Sequence, residues 1–487
     1  MNFIGIDLGL SALKIVLVNE TGTIIAQERR SLETNSRHMG WAEQNPRDWW
    51  NAVEQALYAL KKNHPAGLMN AAAMSVTAGA HIAVLCDEKA EPIRPAILWN
   101  DQRATAQADA LRDSGVDIKI SGNRASATWS LPQIMWLREN EPDLNIERIY
   151  FAKDWLRAQF TGDHMTDTGD ACGAMLTDYN TEKWSDELCS KAGIMLKQLP
   201  EIMPCIGQAG HILPDIAATF GLPQNLVVAI GSIDTTAEWL CCGAPRSGAR
   251  SVKLASAGVI SMTATQQAPK PPISRYPHLD KELVYFAAGM NQCSTAVDWA
   301  ARLFFPNKRV ETLFEEASAA PIGANGVQFH PYLNGERAPL WRSDLTASFS
   351  QLTRASNRND IARAVIEGIS FAFRDIWLSF PDLSHGSSTE DGTIALIGGG
   401  TQSILWCQII ANILNQPCYV PKHYDAAYGA ALIAAQAVNV RISDIIALTR
   451  DEDISRQIIP DPEAVSAYLA LYDTFTTNRN LIYTCDK

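Results

Sequence analysis

Phe3-Ile4-Gly5-Ile6-Asp7-Leu8-Gly9-Leu10-Ser11-Ala12-Leu13-Lys14-Ile15-Val16-Leu17-Val18 reads as two apolar strands joined by the turn Gly9-Leu10-Ser11-Ala12. A second turn, Asn19-Glu20-Thr21-Gly22, leads into a third apolar stretch at 23–26, and the three together carry the signature of a β-meander. Residues 251–265 repeat the layout as strand, turn (Ala255-Ser256-Ala257-Gly258) and strand, with different residues. Two such hairpins, each heading a mixed α/β half, predict a duplicated domain with its boundary near 243–250.

A helix follows the first meander. Asn45 caps it, Pro46 suits its first position and Asp48 its first turn, while Trp49, Trp50, Val53, Leu57 and Leu60 recur at helical spacing. Strands are expected at 71–76 and 83–86, and a short apolar run at 95–99 ends in Asn100-Asp101. Several helices are expected over 104–222, then a buried strand at 226–230 that delivers the chain to Gly231-Ser232-Ile233-Asp234. In the second half, Ile361, Val365, Ile369 and Phe373 or Ile376 mark a helix. A strand at 393–397 then runs into three glycines, with a helix from about Ser403 and a polar loop at 384–392 before it.

At 487 residues the chain is too long for one hydrophobic core and fits two large domains or three small ones. With 47% hydrophobic and 19% charged residues it reads as globular. A net charge of -12 and the lack of a Lys/Arg run argue against a nucleic-acid partner. The opening strand leaves no room for a signal peptide ahead of it, and no apolar run reaches the roughly 18 residues of a membrane span. The ten cysteines show no paired CxxC spacing, which predicts reduced thiols in a cytoplasmic protein.

Several segments carry candidate chemistry, each with a plainer alternative. Asp7 at a strand end, the N–H groups of the 9–12 turn and Lys14 suit hydrated magnesium and phosphate oxygens; an ordinary hairpin would use the same Asp and Ser to close its turn. No Walker A pattern is present. Gly398-Gly399-Gly400-Thr401, between strand and helix, permits close approach of a flat or anionic ligand, or is simply a tight connection. Asp234 follows a buried strand and a glycine, where a rigid carboxylate could take a hydroxyl proton or cap the next helix. Trp99-Asn100-Asp101 suits sugar hydroxyls or a core turn, and His81 is equally open. Trp41, Trp49 and Trp50 read as core.

Taken in order, these segments resemble the FGGY family of carbohydrate kinases, most closely its xylulokinases, over nearly the whole chain. Gly5-Ile6-Asp7-Leu8-Gly9 is similar to the family's first phosphate motif, and Gly40-Trp41-Ala42-Glu43-Gln44-Asn45-Pro46 to its Trp-x-Glu-Gln-Asp-Pro segment. Residues 94–101, RPAILWND, are close to the xylulokinase form. Lys153-Asp154-Trp155-Leu156, Phe160-Thr161-Gly162 and Asp167 resemble the family's KDYLxxxLTGxxxxD stretch. PYLNGERAP at 331–339, the triple glycine and Ala427-Tyr428-Gly429-Ala430-Ala431 complete the series.

The resemblance implies an α/β fold of two actin-like, ribonuclease-H-like domains flanking a central cleft. Residues 1–245 would form the sugar-binding domain and 246–487 the nucleotide-binding domain. It implies Asp234 as catalytic base and Asp7 as the magnesium-associated carboxylate. Gly9, Leu10, Ser11 and Lys14 fall at one phosphate loop, Ser256, Ala257 and Gly258 at a second, and Gly398 to Thr401 at the adenosine site. Ala80, His81, Trp99, Asn100, Asp101 and Asp234 would line the sugar site. Three departures stand out: Leu10 replaces a hydroxyl residue, Ala255-Ser256-Ala257-Gly258 replaces GTSG, and Ala78-Gly79-Ala80-His81 replaces GQMH.

The expected activity is ATP- and Mg²⁺-dependent phosphorylation of a terminal hydroxyl on a small sugar or polyol, D-xylulose or a related ketopentose. A homodimer is also implied, with no nucleic-acid or membrane partner. The altered phosphate loops keep open a non-catalytic sugar- or nucleotide-responsive protein, and an actin- or chaperone-like ATPase is the third reading.

Overall fold

The computed structural model describes residues 1–242, 247–265, 273–279, 281–306, 309–342, 344–380, 393–440 and 454–483. The loop expected at 384–392 and residues 243–246 of the boundary stretch lie outside them. The chain divides into two compact units. One comprises Met1–Pro245, Tyr276–Val284 and His423–Glu452, and the other Arg246–Arg275, Tyr285–Lys422 and Asp453–Lys487. The return of His423–Glu452 to the first unit departs from the contiguous division at 245/246.

In the first unit, β1 (Asn2–Leu8), β2 (Ala12–Asn19) and β3 (Ile24–Ser31) pair antiparallel as the expected meander. On the other side of β1 lies the strand Ala71–Ala78, parallel to it, followed by Val227–Ala229 and Gln208–His211. The short strand Ser232–Ile233 also pairs with Ala71–Ala78. Ile4, Ile6 and Leu8 point to one face, where helix α1 (Pro46–Asn63) packs Trp49, Val53, Leu57 and Leu60 against them. Phe3, Val16 and Val18 point to the other face, onto the helices Asp234–Cys241 and Ala426–Ala437. Burial on both faces explains why these strands read as continuous apolar runs.

Two glycines allow the second face to close. A Cβ on Gly5 would be driven into the Ala427 carbonyl oxygen, and one on Gly429 into that of Ala237. The helix Ala426–Ala437 therefore lies hard against β1 on one side and against the helix begun by Asp234 on the other.

The 104–222 stretch is not purely helical. Short strands interrupt it, among them Arg148–Phe151, paired antiparallel with Ala83–Cys86, and Met165–Asp167, paired parallel with Glu201–Met203. Runs of three or four residues are too short to show a period in sequence.

The second unit holds another seven-stranded sheet, in the order Ser274–Pro277, Leu283–Met290, Gly258–Thr265, Arg250–Leu254, Ile394–Ile397, Cys418–Pro421, Ile454–Ile458. The repeated hairpin is there as expected, Arg250–Leu254 antiparallel to Gly258–Thr265. The long helix Arg358–Ser379 carries Val365, Ile369 and Phe373 fully buried. Among the described residues, no helix is long and apolar enough to cross a membrane.

Candidate active site

Strand register brings the first unit's candidate residues together. Leu8 pairs with Ala78, and Ala78 with Ile233, so Gly9, Gly79 and Asp234 leave the carboxyl ends of three neighbouring parallel strands side by side. Loops at that end of an α/β sheet are where ligands ordinarily bind. A cavity of about 190 Å³ opens there, lined by Leu8, Gly9, Leu10, Gln44, Trp49, Gly79, Ile82, Leu98, Trp99 and Asp234.

Asp234 is the first residue of its helix, and Ile233 occupies the cap position. Its Oδ1 accepts the Thr235 N–H at 2.7 Å and the Thr235 hydroxyl at 3.3 Å. The turn before it is tightly held. Gly231 has φ +80°, and a Cβ there would run into the Val76 carbonyl oxygen. Thr77 donates its hydroxyl to the Ser232 carbonyl at 2.7 Å.

Asp7, half-buried at the end of β1, has its carboxyl pushed well above the usual carboxylate range. Burial is the main cause, reinforced by Asp425, Asp234 and Glu238 and opposed by Lys14. Lys14 itself is paired with Asp425. Among the described residues, no group of three or more His, Cys, Asp or Glu could cage a metal ion. A lone carboxylate crowded by others nevertheless suits Mg²⁺, which keeps several waters and binds through one or two carboxylates plus phosphate. Asp7 fits that role.

The expected sugar wall is only partly on the cavity. Trp99 lines it, and Gly79 makes room for the ring, since a Cβ there would lie 2.9 Å from Trp99 Cδ1. Ala80, His81, Asn100 and Asp101 are not among its lining residues. His81 is buried with φ 52°, donates its N–H to Asp170 Oδ1 at 2.6 Å and stacks on Trp129 with ring centres 5.3 Å apart. Asp101 is wholly buried: it accepts the Ala42 N–H at 2.6 Å and two guanidinium bonds from Arg103, at 2.9 and 2.7 Å. These bonds make it a framework residue.

Gln44 and Trp49 line the cavity although neither was singled out for chemistry. Trp49 Nε1 donates to Gln44 Oε1 at 2.8 Å, and Gln44 Nε2 donates to the Leu10 carbonyl at 2.7 Å, which fastens the 9–12 turn. Trp49's place on the helical stripe marked it only as core. Trp41 is half-buried beneath Arg103, whose guanidinium carbon lies 3.7 Å from the ring centre, and Trp50 is also half-buried.

In the second unit, Lys253 pairs with Ile397 in parallel strands, so the turns at 255–258 and 398–401 emerge next to each other. The first turn is tied down by its carbonyls: Ala255 accepts the Ser294 N–H at 2.8 Å and Ser256 the Cys293 N–H at 3.0 Å. The Ser256 side chain is exposed, Ala257 half-buried, and Gly258 packs closely, since a Cβ there would lie 2.5 Å from the Phe373 ring and displace it or Met290. Gly398 has φ +91° and sits against Leu254, while nothing lies within 4 Å of a Cβ placed on Gly399. Gly400 packs on Trp406. Thr401 is turned inward, its hydroxyl donating to the Gly398 carbonyl at 2.8 Å, which leaves Gly399 exposed and Gly398 half-buried in this loop.

Residues 2–241 match the N-terminal domain of the FGGY family of carbohydrate kinases, and residues 255–438 its C-terminal domain. The xylulose kinase of Escherichia coli (strain K12) is 31% identical over 480 residues, 97% of each chain. The gluconokinase of Bacillus subtilis (strain 168) is 26% identical over 470 residues, 92% of this chain and 90% of that one. A crystal structure of a xylulose kinase from Brucella ovis superposes with a TM-score of 0.93 at 28% identity, covering 100% of both chains. The two sheet-and-helix units are thus actin-like, ribonuclease-H-like domains, and the chain belongs to the FGGY family of carbohydrate kinases as a xylulokinase-like member.

Proposed function

We propose that this kinase transfers the γ-phosphate of ATP to a terminal hydroxyl of D-xylulose or a related ketopentose, with Asp234 as general base. The observation that carries the reading is the small cavity whose wall includes Asp234, Trp99 and the turn residues Gly9 and Leu10. A cavity of about 190 Å³ is below drug-sized pockets and has room for one small polyol. Trp99 would cover an apolar face of the sugar. Thr235 holds Asp234 through Oδ1 with both its N–H and its hydroxyl, so Oδ2 is the oxygen to meet the substrate hydroxyl. As that hydroxyl oxygen attacks the γ-phosphorus and ADP leaves, its proton passes to the carboxylate.

In this reading the N–H groups of the 9–12 turn and Lys14 take phosphate oxygens, as does Ser256 on the second unit. The exposed Gly399 backbone takes the adenosine. Asp7 would hold Mg²⁺ through its water shell, and the ion would neutralise phosphate charge. The ketopentose rests on the xylulose kinase relatives; the gluconokinase relative supports a sugar acid as the second candidate. The enzyme would work in the cytoplasm, where ATP is supplied, and as a homodimer, which analytical ultracentrifugation would check.

The test is coupled ADP release across ketopentoses, pentitols, tetritols and sugar acids. D-xylulose should give the highest kcat/KM; gluconate leading the panel would overturn the substrate. Asp234→Ala should abolish turnover with nucleotide binding kept, and retained turnover would overturn the base.

A further inference from the structure

In the first unit lies a cluster of acidic and basic side chains away from solvent. Lys153 is fully buried, and its Nζ contacts Asp154 Oδ1 at 2.5 Å, Asp167 Oδ1 at 3.0 Å and Asp170 Oδ2 at 3.2 Å. Burial alone would depress the ammonium, but the three carboxylates outweigh it and hold the group above its ordinary value. Arg157, also fully buried, bonds Asp154 at 2.6 Å and the Ile230 carbonyl at 2.6 Å.

Asp167 is the member that reaches the active turn. Its Oδ2 accepts the Ser232 hydroxyl at 2.6 Å and the Gly169 N–H at 2.9 Å, while Oδ1 faces Lys153 and the Asp170 N–H at 3.2 Å. Ser232 lies two residues before Asp234, on the strand paired with Ala71–Ala78. With Gly231 wedged against Val76 and Arg157 holding Ile230, the Ser232 hydroxyl ties the segment between that wedge and Asp234 to the cluster.

We infer that Asp167, oriented by Lys153, is a positioning residue for phosphoryl transfer: through the Ser232 hydroxyl it sets where the Asp234 carboxylate stands. No member of the cluster lines the cavity, so its effect on the reaction runs through the backbone of 232–234. Reacting groups must be aligned within a fraction of an ångström, so a small slip of this segment costs rate far more than affinity. The inference rests on Asp234 being the base.

The test uses the full-length kinase with Ser232→Ala and Ser232→Cys, the latter keeping nearly the volume while weakening the donor. Each should lower kcat about 10-fold or more, with KM for sugar and ATP within about twofold and an unchanged far-ultraviolet circular dichroism spectrum. Should the alanine protein fail to fold, the cysteine protein carries the measurement. A kcat equal to wild type in the folded variant, or a loss confined to KM, overturns the positioning role. Asp234→Ala is run alongside. If it is inactive while the Ser232 variants keep full kcat, only the positioning inference falls; if it retains turnover, the base assignment falls and takes the inference with it.

Discussion

The ammonium of Lys14 is paired with the carboxylate of Asp425, and the same carboxylate caps the helix Ala426–Ala437 by accepting the Ala427 N–H at 2.9 Å. Both side chains are about one-third exposed, so the pair itself contributes at most about 1 kcal/mol. Asp425→Asn keeps a capping oxygen and removes the competing charge. The expected result is a melting temperature within a few degrees of wild type and a lower KM for ATP, as Lys14 becomes available to phosphate. Lys14→Ala should raise that KM; steady-state kinetics with varied ATP would show both.

Asp101 was read as part of the sugar wall, yet its oxygens serve Arg103 and the Ala42 N–H. Asp101→Ala leaves Arg103, itself 1% exposed, with only part of its pairing, through Glu43 at 2.8 Å. A stability loss of about 3 kcal/mol is expected in urea unfolding. Wild-type stability with a raised sugar KM would return Asp101 to the substrate.

Neighbouring glycines in the 398–401 loop should behave oppositely. Gly399→Ala meets nothing within 4 Å and should leave the melting temperature unchanged while raising KM for ATP several-fold. Gly398→Ala, at φ +91° with Leu254 backbone 2.6 Å from the new Cβ, should lower the melting temperature.

Glu336 provides a pH test. Burial pushes its carboxyl up to about 7 although it accepts the N–H groups of Asn291 and Arg337, both at 2.7 Å. A carboxyl raised on folding binds its proton more tightly when folded, so its stabilisation is complete below the unfolded value and is lost as pH rises through about 7. Calorimetry should show the melting temperature falling between about pH 5 and 8, with a shallower fall in Glu336→Gln, which keeps an acceptor. Asp170, also raised to about 7, first by burial and then by Asp154 and Asp167 against Lys153, would supply part of the remaining slope.

Gly5→Ala and Gly429→Ala should each cost about 2 kcal/mol or more, because each new methyl meets backbone that cannot rotate away. Chemical denaturation would read the loss, and wild-type midpoints would show that the helix Ala426–Ala437 can shift without cost.

Much of this was legible in the chain. The first hairpin declared itself because its two strands are buried on both faces around a small-residue turn, and α1 because Asn45, Pro46 and Asp48 stand ahead of a helical stripe. The buried run and glycine before Asp234 were legible as a strand end, but they suited a helix cap equally, and its reading as a base came from the ordered resemblance along the chain. The stripe, however, reads the same whether Trp49 faces core or cavity, since periodicity identifies a face and not what lies opposite. Asp101 looked free because burial and the pairing with Arg103 are tertiary facts. Nothing in Ala427-Tyr428-Gly429-Ala430-Ala431 says which of two sheets it will cover, so the segment's return to the first unit was unforeseen.

That return has a consequence for biogenesis. Lys14 and Asp425 are 411 positions apart, and Gly5 waits for Ala427 to cover it. A nascent chain emerging from the ribosome would hold β1 with one face still open until nearly all its residues have been made. Such long-range closure is slow and leaves apolar strand surface uncovered in the meantime. Newly made protein truncated before residue 423 would therefore be a client for chaperones, while the same truncation keeps every strand of the first sheet.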